Sequence, residues 1–501
     1  MELVFQEQKL EYLHRIFCET VTQEQTADVV IPDSLADAER VVEAFGTLLV
    51  RSEECMADSV SVSGVVQAGV LFCGESGEVL QVESQIPFSM RRELPAQTED
   101  GHLHCRCVLR SVDARLLNSR KLLIRVCVSC TLCVYAPKSC TVYDISEPAP
   151  TLQLKRTELP LQMPMGLGEK GFVLNEVLEL PAGKPEILHL LKCCYRPQIS
   201  EQRMVGNKAV FKGAMTVHVL YESSDEEIYP YEWSIPFSQY AELERELDEC
   251  DLQTALTLTS AEAEPESQFG TNRLLVSVNV LAQCMAMGIQ KLSIIEDAFC
   301  TDADLTPQWE NWQMQGILDR QTFREAVTAG SEQPAQRVVD AWVWPDEAGK
   351  QRLDGRVQIE LPMTCNVLYY DADGKLQGRT LRPMLRAETA LAENGNCAVT
   401  DVDCGEVFCS AGSDGITVRL PVTAEVESSA IHSIHAVSGG EITPLSEETG
   451  RKPAVLLRLT DSEESVWDIA KSCRAPMQSI TAANDLRDSV VPSGTLLLIP
   501  L

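Results

Sequence analysis

The chain has 501 residues, 45% of them apolar, which is enough to bury cores in three or four domains of ordinary size. Its 42 basic residues are outnumbered by 74 acidic ones, and the formal net charge of −32 repels nucleic acid and anionic bilayers. No stretch approaches 18 apolar residues and MELVFQEQKLEYLHRIF lacks the basic start and apolar run of a secretory signal, so neither a membrane span nor export is expected, and the 19 cysteines read as reduced thiols.

The first predicted unit covers residues 1–150. It carries VVIPDSLADAERVV (29–42), then GVVQAGVLF (64–72), the turn GESGE, and a return through QIPFSMRR (85–92). HLHCRC (102–107) holds two histidines and two cysteines within six residues. On a strand His102, His104 and Arg106 share one face while Leu103, Cys105 and Cys107 share the other, so the ligand types diverge and no metal site is expected. LLIRVCVS (122–129) reads as a long late strand. In CVSCTLC (127–133) Cys127 and Cys133 face away from Cys130, which argues against a cluster. EPAPTLQLKRTELPLQMPMGLGEKG (147–171) reads as a linker.

The second unit, 151–320, repeats the landmarks of the first. Pro32 and Pro181, Gly64 and Gly213, and Pro87 and Pro236 are each 149 residues apart. Within GAMTVHVLY and its flank, Phe211, Gly213, Met215, Val217, Val219 and Tyr221 alternate with Ala214, Thr216 and His218, the period of a half-buried strand. The loop SSDEE turns the chain, and Tyr229, Tyr231, Trp233 and Ile235 lead to Pro236. A proline here suits a strand end or an edge, and Ile-Pro-Phe reads as the exit of a hairpin's second strand with its aromatic packed inward. Cys193 and Cys194 read as ordinary thiols, ELERELDECD (242–251) as a solvated face, and LLVSVNVL (274–281) as the late strand.

The third unit, 321–445, is more divergent. LPMTCNVLYYDADGKLQGRTLRPM (361–384) places Leu368-Tyr369 where the second unit has Leu220-Tyr221, and Pro383 where it has Pro236; ITVRLPVT (416–423) is its late strand. The fold expected is mainly β, with three repeated antiparallel sandwich-like modules.

After SEETGRKP the pattern changes. AVLLRL (454–459) is an opening strand. SVWDIAKSC (465–473) is a short helix, capped by Ser465 with Asp468 at capping-box spacing and with Val466, Ile469 and Ala470 on one face. MQSITAANDL (477–486) is a second helix, and PSGTLLLIP (492–500) a turn and closing strand. The order β-α-α-β in under 50 residues is too small to do much besides bind.

This last segment, 455–501, resembles a LysM module at Trp467, Ile469, Ala470, Ile480, Asn484, Leu486, Pro492, Gly494, Leu496, Ile499 and Pro500. The Gly-Asp-Thr usual before the first helix reads Glu463-Glu464-Ser465 here, and with Asp461 these acids alter the groove that would meet a sugar. Together with V-x-G…LY…G…IPF at 62–88 and 210–237, and IPDSLAD at 31–37, the whole chain resembles the SPOCS-domain proteins of spore-forming clostridia. That resemblance implies a role in spore-envelope morphogenesis, in the mother-cell cytoplasm at the forespore surface, with LysM docking the coat's basement-layer ATPase. It also implies a binding groove at Asp461, Ser462, Glu463, Ser465, Asn484 and Ser493, with Trp467 and Ile469 either in the core or on a docking patch. The reading is a non-enzymatic scaffold acting by avidity, with no catalytic residue, metal or cofactor assigned. The alternative is a peptidoglycan-binding protein recognising N-acetylglucosamine glycans. An enzyme, such as a wall hydrolase built on the β-modules, is disfavoured by the absence of Gly-x-Ser-x-Gly, His-Glu-x-x-His or a phosphate-cradling glycine loop.

Overall fold

A computed structural model describes residues 5–145, 149–247, 249–390, 395–445 and 454–501, with Leu318 described by its backbone alone. In chain order the first strands are β1 (Gln6–Val30), β2 (Ala38–Cys55), β3 (Ser59–Gly74), β4 (Val79–Glu93), β5 (His102–Asn118) and β6 (Lys121–Asp144). Next come β7 (Leu152–Glu179), β8 (His189–Val205), β9 (Lys208–Glu222), β10 (Ile228–Glu242), β11 (Cys250–Pro265) and β12 (Arg273–Cys300). The third series is β13 (Ala303–Ser331), β14 (Ala335–Pro345), β15 (Gly349–Leu353), β16 (Arg356–Asp371), β17 (Leu376–Leu381), β18 (Met384–Ala390), β19 (Gly395–Cys404), β20 (Phe408–Gly412) and β21 (Gly415–Pro444). The C-terminal unit is β22 (Val455–Leu459), β23 (Glu464–Ser465), α1 (Val466–Cys473), α2 (Met477–Ala483), β24 (Val490–Val491) and β25 (Leu496–Pro500).

The structure is mainly β, and every pairing is antiparallel. Short-stranded sheets run β2-β3-β4, β10-β9-β8, and β14-β16 with β15, β17 and β18 on β16. Facing them are long ribbons, β1-β6-β5, β11-β12-β7 and β13-β21-β19, the last two joined at Gln162 and Ile317. Each core lies between a short sheet and a ribbon. Val62, Val66 and Phe72 pack with Leu122, Ile124 and Val126; Phe211, Met215 and Val217 with Val276, Val278 and Val280; Met363 and Val367 with Val418 and Leu420.

The Ile-Pro-Phe segments differ from expectation. Pro87 pairs with Val65 and Pro236 with Ala214, and β4 and β10 continue six residues past them. Both are edge strands, so the missing N–H faces away from the ladder and does not end the strand. Only Pro383 falls in a break, between β17 and β18. Phe88 and Phe237 are buried as expected, lying over cross-strand Gly64 and Gly213. A Cβ at Gly213 would sit 1.9 Å from the Gln198 carbonyl oxygen and 2.7 Å from Phe237 Cζ.

Three further expectations are corrected. From Leu152 onward the supposed linker is β7, paired along its length with β12; its first residues, 147 and 148, lie outside the described residues, as does SEETGRKP (446–453). The expected boundary at 320/321 falls inside β13, which pairs with β21 from Ala303 to Ser331. Four cysteines are bonded, Cys18 to Cys133 and Cys107 to Cys130, because β6 carries each partner directly opposite β1 and β5. Among the described residues no group of three or more His, Cys, Asp or Glu could hold a metal ion.

The three short sheets also meet one another. Val42, Leu71 and Phe45 from the first, Leu191, Leu220 and Cys194 from the second, and Val339, Leu368 and Trp342 from the third form one apolar cluster. In each triplet the spacing is 149 and then 148 residues. The same β-bulge precedes the hub in each sheet, after Val41, Leu190 and Val338, and turns a side chain inward at the same place.

Candidate functional site in the C-terminal unit

In the C-terminal unit β22 pairs with β25 and β23 with β24, while α1 and α2 cover one face of the β22–β25 ribbon. Helix α1 starts where a side chain can replace a missing intrahelical acceptor. Ser465 Oγ accepts from the Asp468 amide at 3.0 Å and donates to Asp468 Oδ2 at 2.7 Å. It ends at Arg474 in the left-handed region. Val466, Ile469 and Ala470 enter the small core with Ile480, Val491, Leu497 and Ile499.

The eight residues singled out in the sequence fall into three groups. Asp461, Ser462, Glu463 and Ser493 lie on the two loops that flank the ribbon's end, and the loops are tied together. Thr460 Oγ1 donates to the Pro492 carbonyl at 2.7 Å, the Gly494 amide donates to the Thr460 carbonyl at 2.7 Å, and Ser493 Oγ donates to the Asp461 carbonyl at 2.9 Å. The side chains of Asp461, Ser462 and Glu463 remain exposed, an acidic rim. Ser465 and Asn484 serve the frame: Asn484 Nδ2 donates to the Ile480 and Leu498 carbonyls, and its Oδ1 accepts from the Leu498 amide at 2.8 Å. Ile469 is core, and Trp467 faces the rest of the chain.

Trp467 is 7% exposed, packs edge-on against Phe299 at 5.1 Å between ring centroids, and donates from Nε1 to Asp297 Oδ2 at 2.8 Å. Lys471 Nζ adds contacts of 2.8 and 2.7 Å to the Asp297 carboxylate, and Arg474 pairs with Asp304. The C-terminal unit is thereby seated on β12 and the start of β13. Asp297, Phe299, Lys471 and Arg474 had no place in the sequence reading, because nothing in a linear chain shows which strand a small unit leans on.

The opposite face of the ribbon is the feature sequence reasoning missed. Val455, Leu457 and Leu459 on β22 and Leu496 and Leu498 on β25 form a cross-strand apolar ladder open to solvent, with Leu457 65% and Leu496 64% exposed. A small two-stranded ribbon can bury one face under its helices and has no second layer for the other. The signal was present: VLLRL and LLLI do not alternate, and such runs suit strands covered on both faces. A contiguous exposed apolar patch with a polar rim is the usual character of a protein-binding surface.

The comparison with curated proteins and that with solved structures gave no match. Residues 186–264, from the entry into β8 through β11, match the family model described as SipL, SPOCS domain, which puts a SPOCS domain in the second of the three sheet-and-ribbon units.

Proposed function

We propose that the chain is a non-enzymatic scaffold of spore-envelope morphogenesis, working in the mother cell at the forespore surface. The observation that carries this reading is the SipL, SPOCS domain match at 186–264. The three sheet-and-ribbon units form a body through the apolar cluster that their short sheets share. The C-terminal unit, read as a LysM module, is the arm that docks a coat basement-layer protein, with the apolar ribbon face as its contact and the Asp461–Glu463 loop as its acidic rim. A single weak contact of this size gains from repetition along an assembling layer, where effective concentration multiplies affinity. The arrangement favours a protein over a glycan, because sugar recognition needs polar groups converging on a cleft, and Ser493 and Asn484 are already committed to backbone partners.

The test is the position of a fluorescently tagged full-length chain in sporulating cells. A shell around the forespore is expected. A uniform mother-cell distribution, or signal only at the vegetative cell wall, contradicts the reading. Saturable binding of the full-length chain to chitin oligomers would favour glycan recognition instead.

A further inference from the structure

Glu43, Lys192 and Asp340 stand at one place in the three short sheets, 149 and 148 residues apart. Each lies opposite a leucine of the neighbouring strand, Leu71, Leu220 and Leu368, immediately after the shared bulge. Their side chains converge. Lys192 Nζ is 2.8 Å from Glu43 Oε1 and 3.0 Å from Asp340 Oδ2, and Lys192 is 1% exposed. His218 Nε2 lies 2.8 Å from Asp340 Oδ1, and Asn366 Nδ2 donates to Glu43 Oε1 at 3.3 Å and to the Ala44 carbonyl at 3.1 Å. His218 and Asn366 are themselves 148 apart, and the first sheet has Gly69 at that place, where a Cβ would lie 2.2 Å from Phe45 Cζ.

The apolar surround does not tell the sheets apart. Its layers are Val42, Leu191 and Val339, and Leu71, Leu220 and Leu368, which are near copies. Hydrophobic burial is non-directional and rewards any sheet that brings the same surface, including one from a second copy of the chain. A buried charge behaves differently, since an ion without its counter-ion is strongly disfavoured.

We propose that Glu43, Lys192 and Asp340 form an interlock that selects which sheets pack together: the axis admits one base between two acids and rejects three charges of one sign. The hub face of each sheet is thus an interaction surface whose partner is defined by charge. The Lys192 sheet fits only an acidic pair, and neither acidic sheet can stand in for it. A chain built from repeats thereby closes with the Lys192 sheet set against the two acidic ones, and three copies of one sheet are excluded from the axis. This is the kind of specificity that polar groups confer on otherwise interchangeable apolar contacts.

The test uses the full-length chain and three variants, Lys192→Glu, Glu43→Lys and the exchange Glu43→Lys/Lys192→Glu. Each is measured by urea midpoint and by light scattering after size exclusion. Lys192→Glu puts three acids on the axis, and Glu43→Lys puts two bases beside one acid. Both should lower the midpoint by more than 1 M, or yield aggregated chain. The exchange restores one base and two acids. It should recover at least half of the lost midpoint and return the wild-type mass, even if neither single variant folds. An exchange variant no better than the worse single variant overturns the proposal, as does Lys192→Glu with the midpoint and mass of wild type.

Discussion

Gly213 offers the sharpest test of how β8, β9 and β10 pack. It sits mid-strand on β9, between Ile199 and Phe237 in register. An added methyl group would lie 1.9 Å from the Gln198 carbonyl oxygen, 2.7 Å from Phe237 Cζ and 2.9 Å from the Gln198 carbonyl carbon. Carbon and oxygen in close contact stand about 3.3 Å apart, so β8 and β9 must separate by more than ~1 Å locally. The phenylalanine can turn; the backbone of β8 cannot move without loosening its ladder to β9. Gly213→Ala is therefore expected at the upper end of overpacking costs, about 3 kcal/mol, whereas Gly171→Ala, whose Cβ would meet nothing within 4 Å, should be neutral or stabilise by up to about 1 kcal/mol. Adding Phe237→Leu should recover only part of the loss, because the carbonyl clash remains. Urea unfolding followed by tryptophan fluorescence, to which Trp233 on β10 is one of six contributors, reads the loss of stability. A Gly213→Ala midpoint within error of wild type, or full rescue by Phe237→Leu, would refute the reasoning.

Other expectations concern the turns, the buried acids and the thiols. Glu226 turns the β9–β10 hairpin with φ 62°, where the equivalent hairpins use Gly77 and Gly374; Glu226→Gly should stabilise the chain by about 1 kcal/mol in the same urea assay. Glu53 shares the Gln283 side-chain amide with Glu169, each carboxylate 2.9 Å away, and burial followed by the Glu169 charge pushes its carboxyl up to about 7. The folded state then holds a proton that the unfolded state releases near pH 4.5, so stability falls as pH rises from there through about 7. Glu53→Gln should abolish that slope and raise the urea midpoint at pH 8; a wild-type pH profile in the variant refutes it. Thiol titration of the oxidised chain under denaturing, non-reducing conditions should count 15 free cysteines of 19, with Cys18–Cys133 and Cys107–Cys130 recovered as linked peptides.

Much of the architecture was legible because two physical periods are written in the chain. Period-two alternation marks β3, β9 and β16, and the 149-residue spacing marks which strands are alike. The linker reading of 147–171 failed for a reason visible in β7. Pro164, Gly166 and Gly168 look like breakers, yet Pro164 lies beside a bulge in the β7–β12 ladder, and the two glycines leave room for Leu243 and the Glu242 carbonyl. The charged hub escaped notice because equivalent positions carry an acid, a base and an acid; a search for likeness passes over residues that correspond by being opposite. In the C-terminal unit the helices, the Ser465 cap and the two strands followed from capping and periodicity. The seat of Trp467 on Asp297 and Phe299 did not, since it joins residues 170 apart with no pattern between them.

The docking proposed for the exposed ribbon face of the C-terminal unit can be measured on the partner itself. The most direct measurement is calorimetric binding of the full-length chain to the purified basement-layer ATPase, with wild type compared to Leu457→Glu/Leu496→Glu. Both leucines are solvent-facing, so the variant should keep the wild-type urea midpoint while losing at least tenfold in affinity. Undiminished binding by a folded variant, or no binding by the wild-type chain, would rule out docking through this face.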